Sequence, residues 1–421
     1  MTKKNKSVHK KDTNNYELHP RTLAIHAGYV SGWSEGAAKP PIFMTSTWVP
    51  KNARKLELIF KNMHAKNPKE NFGLAYSRVS HAGLEILEKR LRSWNKEKAC
   101  AVFDSGMAAI ERTLRCFLKP GDFILYSEPL YGGTINLIKH GLAAIGIHSA
   151  GFPADSSLKE MEYFLKKSGH SKKLAIIIIE PPANPTIQLV DIESCAYLAL
   201  KYSEKKKVLL AVDNTFLGPL WQNPDLHGAD LTIYSATKYL GGHSDLIAGA
   251  VLGDKNVINP LRDARQDPAD AFTAWLLLRS LETLELRMEG QMNNAIYVAN
   301  YLRNHPKVRK TRYLGLLKEN DPQYITYQKQ CTGVGAMISF DIKGGKQEAF
   351  AFLDALKIFQ GAVSLGGTES LASHPASTTH SNLSAEERKR MEIGQGMIRL
   401  SLGLEYHKDL IFDLEQAFKK I

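Results

Sequence analysis

Short apolar runs alternate with amphipathic stretches through most of the middle of this chain. Runs at 99–102, 123–126, 175–179, 208–212, 231–234 and 250–252 are too short for helices and carry no alternating polar face. They read as strands buried on both sides. Between them, 108–118, 158–167 and 192–202 place apolar residues at helical spacing, as does 84–91. Buried strands alternating with helices predict a mostly parallel α/β sheet covered on both faces. A long helical stretch at 274–303 leaves this layer. The rest, with strands at 335–341 and 397–402, reads as a smaller α+β unit.

Ahead of residue 72 the periodicity is weak. From His19 to Asn71 the chain reads as irregular, with Pro40-Pro41 in the middle. A stretch of that length fits a segment that wraps a partner subunit or a cleft. Four parts are therefore expected: a disordered basic leader at 1–20, an arm at 21–71, a large domain at 72–285 and a small domain at 286–421.

Charge and cysteine usage narrow the function classes. The formal net charge is +12, and Lys3, Lys4, Lys6, Lys10 and Lys11 contribute to it from the leader. No aromatic interleaving or nucleic-acid motif follows them, so a solvated leader is expected and no nucleic-acid partner. Cys100, Cys116, Cys195 and Cys331 are widely spaced and form no C-x-x-C pair, so no metal site and no disulfide framework is expected. No apolar run approaches the roughly 20 residues of a membrane span, and no apolar signal region opens the chain. A cytoplasmic location and no membrane contact are expected.

The richest chemistry lies at Ser235-Ala236-Thr237-Lys238-Tyr239, directly after an apolar run. Lysine is rarely buried without a function. Asp213, 25 positions earlier, ends another apolar run. Together they fit a pyridoxal 5'-phosphate site: Lys238 as the Schiff-base lysine, Ser235 and Thr237 on the phosphate, Asp213 on the ring nitrogen. A helix N-cap is the plain alternative for Asp213. Ser105-Gly106-Met107 is a strand end followed by a helix start, suited to a phosphate or simply to helix capping. Asn184, in a proline-rich turn, can donate to the cofactor's phenolic oxygen or serve only the turn. Tyr131 can stack on the cofactor ring or pack in the core. Arg399, inside an apolar strand, suits bidentate capture of a substrate carboxylate, with a structural ion pair as alternative. Ser364 lies in a loop that can add donors to the same carboxylate.

In order along the chain, Tyr76-Ser77-Arg78, Ser105-Gly106-Met107, Leu130-Tyr131-Gly132-Gly133-Thr134, Asn184-Pro185, Val212-Asp213-Asn214-Thr215, Ser235-Ala236-Thr237-Lys238-Tyr239, the 373–380 segment and Ile398-Arg399-Leu400-Ser401 resemble the trans-sulfuration family of pyridoxal-phosphate enzymes. That family includes cystathionine γ-synthases, cystathionine lyases, methionine γ-lyases and O-acylhomoserine sulfhydrylases. The resemblance implies the fold type I, aspartate-aminotransferase-like architecture, and homotetramers built from tight dimers. It implies that Tyr76 and Arg78 reach the cofactor phosphate of a neighbouring subunit, and that Tyr131 is the ring-stacking tyrosine, also an acid–base group near the leaving group.

Departures from the family bear on the substrate. His81-Ala82-Gly83 stands where the family often has Asn-Pro-Thr. Val363 stands where cystathionine-specific members commonly place glutamate, which points toward a methionine γ-lyase. Gly133 stands where methionine γ-lyases often have cysteine, which points away from it. The expected reaction is γ-elimination on L-methionine or a related thioether amino acid. The alternatives are γ-replacement, β-elimination on cystathionine, and a non-enzymatic binding protein on a retired fold.

Overall fold

The isoleucine run of the chain lies inside a seven-stranded sheet in a computed structural model, which describes residues 17–421 apart from 64, 66–68, 70–71, 96–98 and 205. The basic residues expected in the leader lie outside the described residues. The strands are β1 (Ala99–Phe103), β2 (Phe123–Glu128), β3 (His148–Pro153), β4 (Leu174–Ile179), β5 (Leu209–Asp213), β6 (Leu231–Ser235) and β7 (Gly249–Gly253). Their order across the sheet is β1-β7-β6-β5-β4-β2-β3. Every residue of β4 is buried. Its β-branched side chains suit a pleated surface with helices on both faces.

The register explains where a ligand can sit. β3, β2, β4, β5 and β6 run parallel to their neighbours, and β7 runs antiparallel to both β6 and β1. β1 therefore points the same way as β6. The carboxyl ends of six strands meet at one edge, where ligands of open α/β sheets collect. Gly249 pairs with Phe103 on one side and Ser235 on the other. A side chain on Gly249 would collide with the carbonyl of Ser105, so only glycine lets these two strand ends approach.

A second sheet follows: β8 (Val308–Arg312), β9 (Met337–Ile342), β10 (Gln360–Gly361), β11 (Leu371–Ser373) and β12 (Met397–Ser401), in the order β10-β11-β12-β9-β8. The two sheets share their core. One apolar cluster joins Leu87, Tyr234 and Leu240 to Ile338, Phe340 and Leu400. Another puts Leu383, Met391 and Ile393, from the β11–β12 connection, beside Ile135 and Ile138 of the large-sheet half. Among the described residues no helix is long and apolar enough to cross a membrane.

Three details differ from the sequence reading. The stretch at 274–303 is two helices, Ala271–Leu281 and Leu284–Asn304. Arg287 Nη2 takes the Ser280 carbonyl at 2.8 Å, the acceptor that a continuous helix would give to the residue 284 amide. The arm is not wholly irregular: it holds helices Pro20–His26 and Ala53–Met63. The second buries only Ile59 and leaves Leu56, Leu58 and Phe60 exposed, so its apolar spacing finds little cover among the described residues. Strand β3 has no apolar run to announce it, because an edge strand needs only one buried residue, here Phe152.

Glu88 ties these parts together beneath the site. It is buried on helix Ala82–Asn95, takes Arg265 Nη1 and Arg262 Nη2 at 2.7 Å each, and accepts the Val102 amide at 3.2 Å. Both guanidinium groups hold its carboxyl below the usual range against the opposing effect of burial. Removing one partner of a buried pair leaves a charge without compensation. Glu88→Ala is expected to lower stability by about 3–5 kcal/mol, read as a shift in the urea unfolding midpoint.

Candidate active site

At the shared strand edge, Ser105 caps the helix Gly106–Phe117, its hydroxyl accepting the Ala108 amide at 3.1 Å. The other first-turn amides have no intrahelical acceptor and carry the positive end of the helix dipole. A Cβ on Gly106 would lie 2.8 Å from Ser235 Oγ, so the helix start and the end of β6 touch. Thr237 closes the turn after Ser235: its hydroxyl exchanges hydrogen bonds with the Ala248 carbonyl and amide at 3.2 and 3.0 Å. The free amides that open this helix, at Gly106 and Met107, thus meet the Ser235 hydroxyl in one small cup that suits a phosphate, with Ser105 and Thr237 holding the two turns that frame it.

Asp213 ends β5, and its Oδ1 accepts from the amide and hydroxyl of Thr215 at 3.1 and 2.5 Å. Thr215 in turn accepts the Ser235 amide at 2.9 Å. Burial raises the Asp213 carboxyl above its ordinary value, and Thr215 opposes that shift. Thr215 was not singled out from sequence. Its signal was there: a hydroxyl two residues after an aspartate is a local turn pattern.

Lys238 Nζ donates to Ser364 Oγ at 2.9 Å. Burial, reinforced by the Arg399 charge, pulls its pKa down to about 8. The backbone around it is held tightly. Arg287 Nη1 donates to the Tyr239 carbonyl at 2.9 Å, and a side chain on Gly242, at φ +69°, would collide with that guanidinium.

Arg399 lies in β12 between Ser373 and Ser339 and is 3% exposed. Its Nη1 donates to Asn184 Oδ1 at 3.0 Å and its Nη2 to the Ser364 carbonyl at 3.1 Å. Burial lowers its pKa to about 10, which leaves it a cation at neutral pH. This orientation of Asn184 frees its amide Nδ2 to donate elsewhere. Val363, beside Ser364, is 57% exposed and brings no charge to the site mouth.

Tyr131 follows β2 and is 41% exposed. Its amide donates to Glu180 Oε2 at 2.6 Å. Glu180, at the end of β4, is buried, and burial with the nearby Asp213 charge pushes its carboxyl well above the ordinary range. A Cβ on Gly133 would lie 2.6 Å from Tyr131 Cε1 and 3.0 Å from Met107 Sδ. The tyrosine ring therefore packs over Gly133 beside the helix start, and a cysteine at 133 would have to displace it.

Tyr76 and Arg78 are elsewhere. The Arg78 guanidinium lies 5.8 Å from the Tyr76 ring centroid, and its Nη1 donates to Gln266 Oε1 at 3.1 Å. They line a groove with Phe72, Lys89 and Arg92, not the Lys238 cluster. Among the described residues no group of three or more His, Cys, Asp or Glu is placed to hold a metal ion.

The donor set fits pyridoxal phosphate. A half-buried lysine and a buried aspartate have no ion-pair partner in each other, and the cofactor's aldehyde and ring nitrogen suit them separately. The cup beside Gly106 answers its phosphate.

Comparison with known proteins agrees. The family model described as Cys/Met metabolism PLP-dependent enzyme matches residues 21–419. The chain is 38% identical to an L-methionine gamma-lyase of Pseudomonas deceptionensis, over 94% of this chain and 96% of that protein. It is 37% identical to a human cystathionine gamma-lyase, over 95% of this chain and 94% of that one. A solved cystathionine gamma-lyase from Lactobacillus plantarum, complexed with L-serine, superposes with a TM-score of 0.85 at 32% identity, covering 96% of this chain and 99% of that one.

The lowered pKa of Lys238 has a direct test in cofactor-free protein. An amine reacts only when neutral, and an ordinary lysine is neutral above about pH 10. Lys238 should reach half-maximal acylation near pH 8. Peptide mass spectrometry after brief labelling across a pH series measures this, and a midpoint above pH 10 would contradict the buried setting.

Proposed function

This chain belongs to the Cys/Met metabolism family of pyridoxal-phosphate-dependent enzymes, and we propose that, as a carbon–sulfur lyase of sulfur amino-acid metabolism, it carries out γ-elimination on L-methionine or a related thioether amino acid. The observation that carries the reading is the run Lys238–Ser364–Arg399. Ser364 touches the lysine through its hydroxyl and the guanidinium through its carbonyl. A proton-moving amine is thereby held next to a cation suited to an amino-acid carboxylate. Val363 supports an uncharged distal group, and the similarity to L-methionine gamma-lyases supports the same choice.

When bound, pyridoxal phosphate supplies the electron sink that makes the α-hydrogen of an amino acid acidic. The phosphate would lie in the cup of Ser105, Gly106, Met107, Ser235 and Thr237, the ring nitrogen against Asp213 and the phenolic oxygen against Asn184. Arg399 binds the substrate carboxylate and so orients the α-carbon toward Lys238. Lys238 Nζ, a neutral amine once free, takes the α-proton and carries protons between carbons. Tyr131 gives a proton to the departing sulfur. Over the cycle L-methionine and water become 2-oxobutanoate, ammonia and methanethiol.

The exposed apolar residues of helix Ala53–Met63 suit an arm that docks on a second copy, with Tyr76 and Arg78 turned to that copy's phosphate cup. A homotetramer of tight dimers extends the same reading.

Purified holoenzyme given L-methionine and no added thiol is expected to release 2-oxobutanoate and methanethiol in equal amounts. Release only from cystathionine, or turnover only of an O-acylhomoserine with a thiol, would overturn the substrate assignment. Arg399→Ala should raise KM roughly a hundredfold, since a charged, bidentate contact is lost. Tyr131→Phe should lower kcat about a hundredfold or more at near-constant KM, the size of a general acid's contribution.

A further inference from the structure

His380 lies in the connection between β11 and β12, in the segment from Ser373 to His380, and is fully buried. Its Nε2 is 3.1 Å from the carbonyl of Leu130 and its Nδ1 is 2.9 Å from Thr379 Oγ1. A carbonyl only accepts, so Nε2 carries the proton and Nδ1 accepts from the threonine hydroxyl. Burial, with Arg399 acting in the same direction, takes the imidazole pKa down to about 4. The ring stays neutral, with one donor, at any working pH.

The other end of the same peptide unit is held as well. The Tyr131 amide donates to Glu180 Oε2 at 2.6 Å. The Leu130–Tyr131 peptide is therefore gripped by its carbonyl from the small-sheet half and by its N–H from the end of β4. The next residue adds a steric stop: a side chain on Gly132 would collide with the Thr379 carbonyl. Two ion pairs brace the same connection against the large-sheet half, Lys139–Glu387 at 2.7 Å and Arg390–Glu128 at 2.8 Å. The contacts at Leu130, Tyr131 and Gly132 are made through the backbone, and so they bear on where the Tyr131 Cα stands.

We propose that His380 and Glu180 are positioning residues that set the Tyr131 phenol by clamping the peptide bond in front of it. The inference rests on Tyr131 being the group that protonates the departing sulfur. A histidine that merely filled the core would lower stability without regard to Tyr131. A positioning histidine loses its effect once the phenol is gone, and the two are separated by a double-mutant cycle.

The experiment uses holoenzyme carrying His380→Ala or His380→Gln, each with Tyr131 intact and with Tyr131→Phe. It reads kcat and KM for L-methionine and the amide hydrogen exchange of the peptide spanning 129–136. His380→Ala is expected to lower kcat roughly tenfold, the scale of one buried hydrogen bond, with KM nearly unmoved. His380→Gln, whose amide N–H can reach the same carbonyl, should restore most of the loss. In the Tyr131→Phe background, His380→Ala should cost no more. Exchange across 129–136 should speed up about tenfold with His380→Ala, in both backgrounds. If His380→Ala does not fold, His380→Asn, too short to reach Leu130, replaces it.

Wild-type kcat in His380→Ala, or an equal loss with and without the Tyr131 hydroxyl, would overturn the positioning role. Unchanged exchange would overturn the clamp itself. If Tyr131→Phe turns over like the wild type, or if methionine is not turned over at all, it is the reading of the reaction that fails, and the exchange result alone then decides the clamp.

Discussion

A buried guanidinium has to find acceptors, and Arg399 finds them on both sides of the molecule. Asn184 belongs to the turn that ends β4, and Ser364 to the loop ahead of β11. The desolvation cost of the cation is offset only while both are in place. The same bonds set the distance between the two sheets at the one edge where the strand ends meet. Ser364 then passes the constraint to Lys238. The shared apolar clusters make the junction rigid, and Arg399 gives it its alignment.

Four ionisable groups sit close together at this junction, and burial disfavours the charged form of each. Lys238 and Arg399 are shifted downward, and Asp213 and Glu180 upward. None of the four makes a direct ion pair with another. Glu180 is satisfied by a backbone amide, Asp213 by a threonine, Lys238 by a serine, and Arg399 by an amide oxygen and a carbonyl. A pocket that pairs its own charges has nothing to offer a ligand. This one holds its charges in place with neutral partners, so their fields point into the space between them.

The sequence made some of this readable and hid the rest for physical reasons. Lys238, Asp213 and Arg399 stood out because a charge within or just after an apolar run requires compensation, and the fold brings Lys238 and Arg399 to the same serine. Strand β4 is plain from its isoleucines, and β8 is not, because an edge strand reading Val-Arg-Lys-Thr-Arg leaves Arg309 and Lys310 in solvent and pairs Arg312 with Asp341 instead of showing an apolar run. Glu180 stands at the head of a proline-rich turn and His380 at the end of the 373–380 segment, and nothing local marks either. Their partners lie 49 and 250 positions away, and a contact at such separation leaves no periodicity behind. The strand order, with β7 inserted between β1 and β6, is equally invisible, although it puts Gly106 against Ser235.

That insertion also governs timing during synthesis. β1 is a sheet edge whose one partner in the sheet is β7, and β7 emerges about 150 residues later. At 5–20 residues per second, Ala99 to Phe103 waits roughly 7 to 30 seconds for the strand it pairs with. The nascent chain must shield that strand, by transient contacts of its own or by a chaperone. The loop at Ser105 and Gly106 follows it directly, so the first-made wall of the phosphate cup is among the last pieces to find its seat.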